Sequence, residues 1–174
     1  MRPSKDKTLL DIASVLAKRG SCIRKQVGCV LVDELGQILS TGYNGVARGL
    51  PHCNDKGKWI TNPILLKEDG TYRKAEHWER PEVPTYPHKC AGADHDSGQG
   101  LEICEAIHAE QNALLQCADV QKIHTVYVTV SPCRHCMKLI MNTSAKRVVF
   151  LNEYSQSSKD LAEKAGIEWI LFAE

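Results

Sequence analysis

The chain has 174 residues, 22 Lys and Arg against 21 Asp and Glu for a net charge of +1, 43% apolar residues and 25% charged ones. A chain of this length buries roughly two-thirds of the surface its unfolded form exposes, so it folds around one core without a disulfide framework, and disorder and fibrous repeats are excluded. The near-neutral balance excludes a dedicated duplex binder, because phosphate contacts demand a strongly basic domain.

The predicted elements begin with an amphipathic helix. Leu9, Leu10, Ile12, Ala13, Val15 and Leu16 recur at helical spacing and the pattern stops at Gly20. Two β-rich runs follow, Val27 to Val32 and Ile38 to Tyr43, on either side of the turn Asp33-Glu-Leu-Gly-Gln37. From Asn44 to Gly100 the pattern dissolves, with Pro63, Pro81, Pro84 and Pro87 breaking anything long and Trp59 and Trp78 as its large anchors. Such a stretch in a compact domain is functional, disordered or tied down by something other than a core. The chain 1–174 therefore reads as a single domain with a loop-rich insertion at about 46–100, tethered by metal.

Regular order returns with a helix from about Leu101 to Cys117, a strand His124 to Val130 and a helix Cys133 to Asn142. A strand Lys146 to Leu151, a helix Ser157 to Ala165 and a strand Glu168 to Phe172 complete it. Strands alternating with helices argue for a three-layer α/β/α sandwich with parallel pairing in its second half. The charged start Met1 to Lys7 lacks the apolar core of a secretory signal, and no run approaches the roughly 18 apolar residues of a membrane span. The expected location is the cytoplasm, with neither membrane nor nucleic acid as partner.

Eight cysteines in 174 residues, about 5%, fall below the density of a disulfide scaffold. In a reducing compartment they remain thiols, and thiols at ligand spacing suggest metal. Cys29 and Cys117 read as small buried hydrophobes.

Two segments carry the chemistry: His108-Ala-Glu110 on the predicted helix, and Pro132-Cys133-Arg-His-Cys136 at a strand-to-helix junction. Cys133 and Cys136, one turn apart at a helix opening that Pro132 suits, put both sulfurs within reach of one tetrahedral ion. The helix N-terminus favours negative charge, so both thiols are expected to titrate early. His108 adds a third, neutral ligand and leaves a fourth position for water, the pattern of a catalytic zinc. Glu110 points elsewhere and serves as the proton carrier. An isolated His-x-Glu is usually a surface pair, and an isolated Cys-x-x-Cys is as readily a redox pair or half a structural finger. A zinc that only held the fold would leave Glu110 without a purpose. His135, between the two cysteines, faces another side of its helix, and His77 and His124 read as ordinary solvated histidines.

The joint pattern matches that of the zinc nucleobase deaminases, in which hydroxide attacks C4 of cytosine. The sequence is identified more closely by Cys22-Ile-Arg-Lys-Gln-Val-Gly28, Thr41-Gly-Tyr-Asn-Gly45, Leu50-Pro-His-Cys53, Ile107-His-Ala-Glu-Gln-Asn-Ala113 and Tyr127-Val-Thr-Val-Ser-Pro-Cys133, with Cys136. Over most of its length it resembles the deoxycytidylate (dCMP) deaminases of bacteria and phages. That resemblance implies a cytidine-deaminase-like fold with a five-stranded mixed sheet, hydrolysis of dCMP to dUMP, and a homohexamer. It also implies dCTP as activator and dTTP as inhibitor, with Mg²⁺ on their phosphates. By position, His108, Cys133 and Cys136 become the zinc ligands and Glu110 the proton shuttle. Asn44 takes the deoxyribose, the Ala109 N–H the base carbonyl, and Arg24 and Tyr154 the phosphate. A second, structural zinc is implied at Cys22, Cys53, Cys90 and Cys104, with His52, His88 or His95 as substitutes for the fourth ligand. The alternatives are a deaminase acting also on dCTP or on another cytosine nucleotide or nucleoside, and a non-catalytic zinc-stabilised subunit that binds nucleotides. A polynucleotide substrate is disfavoured by the charge count.

Overall fold

The computed structural model describes residues 2–48, 52–53, 64–66, 72–74, 95, 99–100 and 103–173. Its first helix, α1 (Lys5–Ala17), starts where the Ser4 side chain accepts a hydrogen bond from the Lys7 N–H. Strands β1 (Gly28–Val32) and β2 (Ile38–Tyr43) pair antiparallel through the expected turn. There Gly36 holds φ at +80°, which an L side chain rarely adopts. After the insertion come α2 (Ala109–Gln116), β7 (Thr125–Val130), α3 (Arg134–Ile140), β8 (Arg147–Asn152), α4 (Lys159–Lys164) and β9 (Glu168–Leu171). The strands form one five-stranded mixed sheet in the order β2-β1-β7-β8-β9, antiparallel as far as β7 and parallel from β7 to β9.

Every residue of β1 and of β7 is buried, because this sheet is covered on both faces. Val30, Val32, Tyr127 and Val149 pack with Leu9, Leu10 and Ala13 of α1 on one side. The alternate residues Cys29, Leu31, Val126, Val128, Val148 and Phe150 pack on the other side with Ala113 of α2, Met137 and Ile140 of α3 and Ala162 of α4. The α/β/α sandwich is as expected, and Cys29 is fully buried in it. Cys117 is partly buried against the same core.

Two glycines set how closely the helices lie on the sheet. A Cβ on Gly28 would stand 1.9 Å from the Ala13 carbonyl oxygen of α1, and one on Gly42 would stand 2.2 Å from the Ala109 carbonyl oxygen of α2. The second approach brings the start of α2 onto β2, and the first turn of α2 carries the chemistry.

Two expectations are corrected. The helix drawn from Leu101 begins only at Ala109: Ala106–Ile107 is instead a short strand, β6, paired antiparallel with β3 (Gly45–Val46). Apolar residues there answer to a partner 60 residues away, which helical periodicity does not detect. Within the stretch described as patternless, β4 (Ile64–Leu66) pairs with β5 (Tyr72–Lys74). Strands of three residues are too short to show a period. Pro132 precedes α3 by two residues, with Cys133 at the N-cap. Most of the insertion, including Trp59, Trp78, His77, His88 and Cys90, lies outside the described residues. No helix among the described residues is long and apolar enough to cross a membrane.

Candidate active site and metal centre

The parallel strands β7 and β8 end at the same level, with Val130 opposite Asn152, and the chain turns there into the ligand-bearing segments. Such a carboxyl edge is where open α/β sheets bind ligands. Cys133 caps α3, and Cys136, three residues on, is fully buried beneath it. From the neighbouring α2, His108 occupies the N-cap, and its backbone N–H donates to Gln111 Oε1 at 2.9 Å. That bond closes the first turn and holds His108 in extended backbone, so its ring projects from the helix start towards α3.

His108 Nδ1 lies 3.5 Å from Cys133 Sγ and 3.4 Å from Cys136 Sγ. Two ligands of one tetrahedral zinc, a thiolate at ~2.3 Å and an imidazole nitrogen at ~2.0 Å, stand about 3.5 Å apart. The donor set therefore fits zinc in both chemistry and spacing. It is also the one group of three His, Cys, Asp or Glu among the described residues whose ligand atoms all lie within 4.8 Å of one another. Glu110 is not a member. Its carboxyl is 4% exposed on the first turn of α2, and burial pushes its pKa up, against the attraction of His108.

The two thiols differ in their surroundings. Among the protein's own groups, hydrogen bonding from Cys136 holds Cys133 down at about 3, while the same bond and burial push Cys136 up. The Cys133 hydrogen bond in turn raises His108, with burial opposing it.

A cleft of about 620 Å³, partly open to solvent, runs outward from this cluster. His108, Ala109, Glu110 and Cys133 form its floor, and Arg24, Asn44 and Tyr154 line its walls. All seven were picked out from the sequence. Cys22 and Cys104 line the same cleft, and Cys53 is buried. Among the described residues these three thiols do not gather into a three-donor group, and Cys90 lies outside those residues. His52 and His95 are exposed. His135 is exposed as expected, but His124 is half-buried, with Nδ1 2.9 Å from Thr125 Oγ1.

Asn44 is 7% exposed, and its amide is already engaged. Oδ1 accepts from the Val27 N–H at 2.8 Å and Nδ2 donates to the Lys25 carbonyl at 2.7 Å. It holds the 20–27 loop that carries Arg24 to the cleft. Arg24 Nη1 donates to the Gln99 carbonyl at 2.9 Å, tying that loop to the end of the insertion. Tyr154 is positioned by its backbone N–H, which donates to Ser131 Oγ at 2.8 Å.

Several residues of the site were missed in the sequence. Lys25 lines the cleft beside Arg24. Ser131 and Ser158 bind backbone on opposite sides of the Pro132 turn, Ser158 Oγ donating to the Pro132 carbonyl at 2.7 Å. Gln111 was legible, since His108-x-x-Gln111 has the spacing of a capping box. The two serines carried no local signal, because their partners lie 23 and 26 residues away.

A model of the cytidine and deoxycytidylate deaminase zinc-binding region matches residues 3–152. A deoxycytidylate deaminase of Mycobacterium phage D29 is 33% identical over 87% of this chain and 98% of its own length. That of Schizosaccharomyces pombe is 31% identical over 96% of this chain, which spans only 44% of the fungal protein. Among solved structures, the dCMP deaminase of cyanophage S-TIM5 in complex with dCMP and dUMP shares the fold, with a TM-score of 0.63 and 24% identity over 99% of each chain. With its His-Cys-Cys cluster at the end of the parallel strands, the chain belongs to the zinc-binding cytidine and deoxycytidylate deaminase family.

Proposed function

We propose that the protein hydrolyses dCMP to dUMP and ammonia. The observation that carries this reading is the buried Glu110 carboxyl on the floor of the cleft that holds His108, Cys133 and the walls Arg24, Asn44 and Tyr154. The phage and fungal relatives named as deoxycytidylate deaminases support dCMP over other cytosine compounds.

Zinc held by His108, Cys133 and Cys136 supplies Lewis acidity, bringing ionisation of a water towards neutral pH. Glu110 takes a proton from the attacking water and delivers it to N3 as oxygen bonds to C4. It then moves the second proton from that oxygen to the amine, the C4–N4 bond breaks, ammonia leaves and C4 becomes a carbonyl. One water enters and one ammonia departs. Ala109 is the first helical residue of α2, so its N–H has no intrahelical acceptor and is free to hold the base carbonyl. Asn44 retains one N–H and one lone pair for the sugar, and Arg24 and Tyr154 face the phosphate.

By resemblance alone the same reading includes one domain over 1–174, a hexamer, control by dCTP and dTTP with Mg²⁺, and a second zinc at Cys22, Cys53, Cys90 and Cys104. The test is a deamination assay on dCMP, dCTP, deoxycytidine and CMP, run beside a zinc count. Turnover confined to dCMP with zinc bound is expected. Equal turnover of dCTP or deoxycytidine would overturn the substrate, and zinc-loaded protein without turnover would overturn the activity and favour a nucleotide-binding subunit.

A further inference from the structure

Ser131 follows β7 directly and precedes Pro132 and Cys133, at the joint between the metal turn and the cleft wall. It is 3% exposed and lines the cleft with Glu110, Cys133 and Tyr154. Its backbone N–H donates to the Asn152 carbonyl at 2.8 Å, and its Oγ accepts from the Tyr154 N–H at 2.8 Å. Asn152 closes the joint by donating from Nδ2 to the Thr129 carbonyl at 3.1 Å. These bonds, the Ser131 side-chain oxygen among them, draw the chain leaving β8 over the end of β7, and Tyr154 is the residue whose N–H that oxygen holds. Tyr154 is half-buried and lies two residues beyond the end of β8, outside any helix or strand. A hydroxyl suits this position because it accepts the amide and keeps a rotatable O–H. That O–H has no acceptor among the described residues and sits in the cleft wall.

From this geometry we infer that Ser131 is a positioning residue for substrate recognition. Its oxygen latches the Tyr154 backbone against the metal turn, and this sets the wall that meets the outer part of a bound nucleotide. The inference rests on the nucleotide reading above. It concerns affinity, not the chemical step, because the latch acts on Tyr154 and leaves Glu110 and the three donors in place.

The test compares Ser131→Ala with Ser131→Thr in the zinc-loaded protein, reading amide hydrogen exchange at Tyr154 by NMR together with kcat and KM for dCMP and deoxycytidine. Removing the acceptor is expected to speed exchange at Tyr154 and to raise KM for dCMP by about tenfold, the scale of one neutral hydrogen bond, with kcat and zinc content little changed. Threonine keeps the hydroxyl and is expected to restore both. If the alanine variant does not fold, Ser131→Cys, close in shape with a weaker acceptor, should fall between wild type and complete loss. Unchanged exchange at Tyr154 would overturn the latch. Faster exchange with KM unmoved, or loss of zinc and kcat with KM unmoved, would overturn its role in recognition. A wild type that prefers deoxycytidine would overturn the nucleotide reading instead, and Ser131 would then be judged on the KM for deoxycytidine.

Discussion

The floor of the cleft and its mouth are held by different forces. The floor donors are backed by the core: Cys136, Met137 and Ala109 are fully buried, and the strand leading to Cys133 is buried along its whole length. At the mouth, the 20–27 loop hangs on polar bonds to backbone: Asn44 to Lys25 and Val27, Gln26 Nε2 to the Gly20 carbonyl at 2.7 Å, and Arg24 to Gln99. Close packing permits few alternative arrangements, whereas a single neutral hydrogen bond contributes about 1 kcal/mol. Chemistry that demands sub-ångström placement sits on the first kind of support, and recognition sits on the second. Changes on the floor should therefore abolish turnover, and changes at the mouth should grade it.

The largest effect is expected from Glu110→Gln. Turnover should fall by about 10²-fold to 10⁴-fold, the contribution of a positioned acid–base, while zinc content stays as in the wild type. A measured kcat near wild type would remove Glu110 from the reaction. Next in size is Gly42→Ala, which touches no ligand. The added methyl would meet the Ala109 carbonyl oxygen at 2.2 Å and push the first turn of α2 away from β2. The expected cost is about 1–3 kcal/mol in denaturant unfolding, with a fall in kcat because Glu110 moves with that turn. Loss of stability with kcat intact would show that the floor tolerates the shift, which would weaken the contrast drawn above.

At the mouth, Asn44→Ala removes both amide bonds to the loop, with an expected cost of about 1–3 kcal/mol for the groups left unpaired. KM for dCMP should rise more than kcat falls. Asn44→Asp keeps the acceptor for Val27 but sets a carboxylate against the Lys25 carbonyl, so it should do no better than alanine. A kcat collapse with KM unmoved would move Asn44 from mouth to floor.

The smallest effect should come from Arg134→Ala, which breaks the exposed pair Arg134–Asp160 at 2.7 Å. Hydrogen bonding from Arg134 holds Asp160 below its ordinary value. Its contribution is therefore present above the ordinary aspartate pKa of about 3.9 and fades as pH falls through the lowered one. Because both side chains are half exposed to solvent, no measurable change in Tm is expected at neutral pH, and salt should not alter that. A clear shift would mean that the pair braces the Cys133 turn.

Legibility followed the range of the interactions. Cys133 and Cys136 are three apart, and His108 and Glu110 two apart, so a single helix start displays each pair and a linear reading finds it. The sheet was equally open to reading, because the buried runs of β1, β7 and β8 are long enough to show. The short strands β3 to β6 and the true start of α2 were hidden, because pairing such as Gly45 with Ile107 crosses the whole insertion. Ser131, Ser158 and the clamp made by Asn44 were hidden for the same reason: a serine or asparagine bound to distant backbone looks like any other.

By itself, the sequence determined the layered α/β/α class, the three donors that cluster and the candidate carboxyl two residues from His108, because each follows from local spacing and side-chain chemistry. The tertiary structure alone decided that the Asn44 amide is spent on backbone, that the Ser131 oxygen meets the Tyr154 N–H, and that α2 lies against Gly42. Those outcomes depend on which groups face one another across the fold, and distances of two or three ångströms between residues far apart in the chain are not encoded in any window of it.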